Sequence, residues 1–329
     1  MILRRLATLI DAWAPRISAA FTASIADLRE RVQVSFVAEQ LQTAGVDAAV
    51  RAVGIAPVMF RQIDAALEQA FEGGGRATVQ AIPPARDDHG GLIRTAFDIR
   101  SGSAERWLRE HSALLVREIT EDQRTTIRQH LVAGMEAGTN PRTVALDLVG
   151  RINPSTGKRA GGVLGLTSTQ ETWARNYADE LAAGDAAALN RKLRDPRYDG
   201  TVRKAIAAGE PLSPERIAKM VAAYRNRALK ARAETLAITE ATTALHQARE
   251  EAVEQAIGAG QVDLRAVRKR WKDSGDSRVR DTHQHLNGAV VPFRSTFLSS
   301  SGARLRYPGD ASAPAAERIG CRCDLEILL

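Results

Sequence analysis

The sequence predicts a mainly α protein: an extended helical body followed by a small α+β module at its C-terminal end. Three observations lead there. Apolar residues recur every three or four positions through nearly every long segment up to about residue 260. Aromatic residues make up only 5% of the chain while Ala, Leu and Arg abound, a mix that favours helices packed through small and aliphatic side chains over β-sandwiches. Beyond Gly260 the texture changes to short apolar runs punctuated by Pro and Gly, ending in period-two alternation over 322–328. With 329 residues, 44% of them hydrophobic, the chain is long and apolar enough for two or three domains with real cores. The expected divisions are an N-terminal helical region over 1–90, a central helical domain over 91–261, and the α+β module over 262–329.

At the N-terminus Leu3, Leu6, Leu9, Ile10 and Trp13 recur at helical spacing, which fits a helix packed on its own core or a partner, or one lying on a membrane surface. Asp11 interrupts the apolar stretch, no cleavage site follows it, and no run approaches the roughly 18 apolar residues of a membrane span. The expectation is a soluble protein with no membrane partner. Ile17, Phe21, Ser24, Ile25 and Leu28 mark one helix face, and Val58, Ile63, Leu67, Ala70 and Phe71 another. Gly73-Gly74-Gly75 is expected to stop that second helix, since glycine is costly to hold helical. Pro83-Pro84 and Asp87–Gly91 form a further break.

Leu108, Leu114, Leu115 and Ile119 lead a helical region toward Ile127, Leu131 and Met135. Asn140 reads as an N-cap with Pro141 at the first helical position, where no amide donor is needed. Residues 151–165 read as a loop, and Thr167–Gln170 restarts a helix carrying Trp173 and Tyr177. Residues 194–214 read as a polar loop with a short helix inside. Ser213-Pro214-Glu215 opens the longest pattern, a small-residue stripe stepping by three or four from Ile217 to Ala252 and closed by Gly258 and Gly260. The span 214–258 fits one helix roughly 60 Å long, or two with a kink near Glu234. In the tail, 262–267, Lys269–Lys272, Gly288–Phe293 and Arg322–Leu328 read as strands.

Motifs for common chemistries are missing. Gly157-Lys158 lacks the spacing of a phosphate loop, and there is no nucleophile elbow, His-Glu-x-x-His helix or dinucleotide fingerprint. Basic residues cluster twice: Lys219, Arg225, Arg227, Lys230 and Arg232, then Arg265, Arg268, Lys269, Arg270, Lys272, Arg278 and Arg280. With a net charge of +7, such density reads as a non-specific contact to nucleic-acid phosphates, or as a solvated or ion-paired face.

The sharpest constellation is His283, His285, Cys321 and Cys323. Two cysteines one residue apart on an extended chain face the same side, with Cα atoms about 6.6 Å apart, near the upper limit for a mutual disulfide. A shared zinc is geometrically easier, with His283, Cys321 and Cys323 as ligands and His285 or a carboxylate such as Asp276 as the fourth. The bland alternative packs both thiols as small hydrophobes and hydrogen-bonds His283 to a turn.

Trp271–His283, Leu286-Asn287-Gly288, Arg306–Asp310 and Gly320–Cys323, taken in that order, resemble the phage head morphogenesis (minor head protein) family, which includes phage Mu F-like and SPP1 gene 7-like proteins. Arg232–Glu240 is similar to the family's helix before its tail module, and Gly150–Thr167 also fits minor head proteins. The resemblance spans roughly 120–329. It implies a structural, non-enzymatic role inside the virion capsid: association with the portal protein, contact with major capsid or scaffold protein, non-specific contact with packaged double-stranded DNA, and help in head assembly, packaging or ejection. Synthesis in a bacterial host's cytoplasm follows from the same resemblance. Some relatives carry a four-ligand zinc pattern, in which this chain places Arg280 at the first cysteine, His283 at the second and Arg318 at the terminal histidine. The competing readings are a metal-dependent nuclease and a stand-alone nucleic-acid-binding protein.

Overall fold

The computed structural model describes residues 6–329, so Leu3 lies outside the described residues. It is 61% helical, with eleven α-helices among the described residues and only small antiparallel sheets. The helices are α1 (Ala7–Arg31), α2 (Val34–Thr43), α3 (Val46–Ala52), α4 (Arg61–Ala81), α5 (Gly102–Glu136), α6 (Pro141–Val149), α7 (Ser168–Ala183), α8 (Asp199–Ala208), α9 (Pro214–Gly258), α10 (Asp281–Gln284) and α11 (Ala315–Arg318). Two-residue hairpins pair β1 (Ala85–Arg86) with β2 (Leu92–Ile93) and β3 (Arg151–Ile152) with β4 (Arg159–Ala160). The tail holds β5 (Arg268–Lys272), β6 (Val290–Pro292), β7 (Phe297–Leu298), β8 (Arg304–Leu305) and β9 (Asp324–Leu328). Among the described residues no helix is long and apolar enough to cross a membrane.

Contacts gather the chain into two compact units, each drawn from non-adjacent segments, where the sequence reading divides it linearly at 90 and 261. One unit comprises the residues to Ala20, Gln62–Leu114 and Glu234–Leu329. In it Leu6, Ile10, Ala14 and Ile17 are buried, so the start of α1 packs on the protein's own core. The three glycines at 73–75 do not end α4, which runs on to Ala81. Each glycine instead faces a neighbour too close for a side chain. A Cβ would lie 2.9 Å from Trp13 Cζ2 at Gly73, 2.9 Å from Leu245 Cδ2 on α9 at Gly74, and 2.3 Å from Phe97 Cε1 at Gly75. Tertiary approach overrides the local propensity here.

The same unit ends in the α+β module. Its three-stranded sheet has the order β6-β5-β9, antiparallel throughout, with Trp271 opposite Leu325 and Lys272 opposite Asp324. Trp271, Phe293, Phe297, Tyr307, Leu325 and Ile327 form its core, which is continuous with Ile82 and with Val253 and Ala256 of α9. Residues 262–267, expected as a strand, instead turn, because the Asp263 carboxylate accepts the Arg265 amide at 2.9 Å.

The other unit comprises Phe21–Arg61 and Leu115–Ala233. Asn140 caps α6 by accepting the Arg142 amide at 2.9 Å, with Pro141 behind it. Thr167 and Gln170 form a reciprocal capping box on α7. Within 151–165 the tip is exposed, but 161–166 are buried, and the Arg29 guanidinium donates to the carbonyls of Gly162 (3.0 Å) and Leu164 (2.6 Å). Tyr177 and Tyr224 stack at 5.0 Å in the core between α7 and α9, whereas Trp173 stays 42% exposed.

Candidate metal centre in the C-terminal module

His283 sits on the single turn α10, and Cys321 and Cys323 lead into β9. The pairing of β9 with β5 carries the cysteines under Trp271, whose indole meets the His283 ring edge-on at 5.0 Å and 74°. The cysteine loop is tied to α9: the Gly320 amide donates to Thr239 Oγ1 at 2.8 Å, and Thr242 Oγ1 donates to the Cys321 carbonyl at 3.2 Å. His283 Nδ1 lies 3.7 Å from both sulfurs, and the three candidate ligand atoms all fall within 4.8 Å of one another. A tetrahedral zinc with bonds of about 2.3 Å to sulfur and about 2.1 Å to nitrogen has S···N edges of about 3.6 Å. The two S···N distances therefore already match edges of such a tetrahedron, and all three residues are buried.

On the other edge of the imidazole, Glu317 Oε2 lies 2.8 Å from His283 Nε2. The carboxylate lies close to the ring nitrogen but off the N–H direction. Thr282 (2.9 Å), Ser299 (3.2 Å) and Ser301 donate to Glu317. Burial opposes ionisation of Glu317, but these hydroxyls and His283 win, and its carboxyl titrates below its ordinary range. A carboxylate behind a ligating imidazole is the usual orienting partner in zinc sites. A hydrogen bond from Cys323 holds Cys321 well below the ordinary thiol range, against burial and with help from His283, while the same partner and burial push Cys323 up. Soft sulfur donors, one already inclined to ionise, together with a fixed imidazole fit zinc.

The structure brings together His283, Cys321 and Cys323 but neither expected fourth ligand. His285 is exposed, with Nε2 at 3.2 Å from the Leu298 carbonyl, and Asp276 is held by Arg278 at 2.6 and 3.0 Å. Arg318, at the position of the relatives' terminal histidine, reaches toward Glu240 of α9 at 4.0 Å. Glu317 went unread in the sequence; its only signal there was an acid flanking that position.

Much of the basic character is spent inside the fold. Arg225 clasps Glu171 at 2.6 and 2.9 Å, and Arg232 pairs with Asp122 at 2.7 Å. Lys269 is buried against Glu250 at 2.8 Å, and Arg270 meets Glu326 at 3.2 Å. Lys219, Arg265 and Arg268 remain on the surface.

A helical chain closed by a Trp-centred α+β module with a Cys-x-Cys and histidine cluster is the arrangement the sequence resemblance leads to. Residues 199–326 match the family model described as phage Mu protein F like protein. The matched residues include α9 and the module as far as Glu326 in β9, while Gly150–Thr167 lies outside them. No curated protein and no solved structure matches the chain.

Proposed function

We propose that the protein is a structural minor head component of a tailed phage, prophage or phage-like particle, seated inside the capsid at the portal vertex. The observation that carries this reading is the phage Mu F-like match over 199–326, which coincides with the module built around Trp271. The family is one of structural head proteins, which favours a non-enzymatic role in assembly, packaging or ejection. The portal protein is the primary partner on this reading, with major capsid or scaffold protein as a second. Packaged double-stranded DNA is met non-specifically through the basic residues left on the surface.

The module's His283, Cys321 and Cys323 hold one zinc ion in this account, with Glu317 orienting the imidazole. Those three residues would hold the ion, whose chemistry there would be cross-linking of α10 to the start of β9. A nuclease finds less support, because among the described residues the ligand cluster itself contains no carboxylate. The test is mass spectrometry of gradient-purified heads from the phage or prophage that encodes the chain. The protein is expected in those heads at a few copies each, co-purifying with the portal. Its absence from heads, with all of it in the soluble lysate, would overturn the proposal.

A further inference from the structure

Deepening the reading that places the chain beside packaged DNA, we infer that the first half of α9 is the double-stranded DNA contact, lying across one groove with a cluster of cations on each phosphate row. Arg216, Lys219, Arg227 and Lys230 are exposed, and at 100° per residue they fall within about 80° of one another around the helix axis. Val221, Tyr224 and Ala228, turned away from them, are buried. No acid interrupts 216–233, and Glu215 and Glu234 bound the stretch at its two ends.

Neighbouring segments of the same unit thicken both ends of the stripe. Lys204 of α8 lines an open groove of about 360 Å³ together with Arg216, and Glu210 is the one acid in that lining. Further along, Arg227 reaches Asp195 at 3.6 Å, and Arg197 donates to both oxygens of the same carboxylate. One carboxylate shared by two guanidiniums leaves a positive charge there, and the Arg197 side chain is 81% exposed. The spacing of the two clusters chooses the partner. Lys219 and Arg227 stand eight residues apart, about 12 Å along the helix. The major groove of B-DNA is about 12 Å wide, so each cluster meets one of the two backbones that border it. Ala223, which lies between them on that face, is too small to hold the backbones off. Contacts of this kind go to phosphates and position the helix without reading bases.

The experiment follows binding of the full-length protein to short labelled duplexes of two unrelated sequences by fluorescence anisotropy, from about 50 to about 200 mM salt. Equal affinities that fall together with salt are expected, with the single strand of either sequence binding more weakly because it lacks the second phosphate row. Lys219→Gln/Arg227→Gln is expected to bind the duplex about tenfold more weakly at the lowest salt, with the slope of log affinity against log salt shallower by about two. Arg265→Gln/Arg268→Gln, in the other unit, is expected to bind as the wild type does. No duplex binding by the wild type at the lowest salt would overturn the inference. Unchanged affinity in Lys219→Gln/Arg227→Gln, or an equal loss in Arg265→Gln/Arg268→Gln, would overturn the assignment to α9. A single strand bound as tightly as the duplex would overturn the straddled groove. Presence of the protein in purified heads is a separate readout, so each of these results leaves the minor head reading standing.

Discussion

At the residue scale, Glu171 on α7 shows how this chain uses charge. It is buried, yet Arg225 clasps it bidentately and His130 Nδ1 lies 3.1 Å away. Burial raises its pKa, but Arg225 and His130 more than offset that and hold it at about 2, against an ordinary value of 4.5. A folded-state pKa below the unfolded one means that the ionised group contributes stability in full above about pH 4.5, and that this contribution is lost as pH falls toward 2. Hydrogen-exchange protection of the α7 amides is therefore expected to fall through that window in the wild type, and to lose that slope in Glu171→Gln. Arg225→Ala leaves the carboxylate buried without its cation and is expected to lower the local opening free energy of α7 by about 3–5 kcal/mol at neutral pH. Unchanged protection in Arg225→Ala would mean that the pair is dispensable. Read as sequence, Arg225 looked like part of a basic face. The partner that turns it inward lies 54 residues away, a distance that local charge counting does not reach.

At the element scale, α4 is the instructive case. Its three consecutive glycines are poor helix formers, and Gly→Ala in an open helix interior gains up to about 1 kcal/mol. Gly75→Ala is expected to do the reverse, because its Cβ would fall 2.3 Å from the Phe97 ring and displace it from its packing on Phe71. A net loss of about 1–3 kcal/mol follows from such overpacking. Gly258→Ala, near the end of α9 with nothing within 4 Å, is expected to be neutral or slightly stabilising. Thermal melts of the two variants check the contrast, and a Gly75→Ala melt at or above wild type would show that the close approach does not matter. Elements whose signals are local were legible in advance: the Asn140-Pro141 start of α6, the Thr167 restart of α7, the long α9, and the last strand. The glycine run was misread because its meaning depends on Trp13, Leu245 and Phe97, which only the folded chain brings near.

At the scale of the whole molecule, the tail module is not a self-contained bead. Its core runs into Ile82 and into Val253 and Ala256 at the end of α9, so cutting the chain after residue 261 strips cover from those side chains. A 1–261 fragment is expected to keep strong helical circular dichroism while binding a hydrophobic dye and losing protection over Val253–Ala256. A fragment as protected there as the full chain would show that the module stands apart. The sequence placed the module and three candidate ligands in one region, but the discontinuous units were beyond it, since each gathers segments that are not adjacent in sequence and whose complementarity leaves no local trace. Glu317 was missed for a related reason: its nearness to His283 depends on how the short helices α10 and α11 meet. The central proposal is that His283, Cys321 and Cys323 close the module around a metal ion. Elemental analysis of the full-length protein, purified without chelator and reconstituted under reducing conditions with zinc, tests it most directly. About one zinc per chain in the wild type, lost in Cys321→Ser/Cys323→Ser, is the predicted result. A folded, fully reduced wild-type protein that retains no zinc would contradict it.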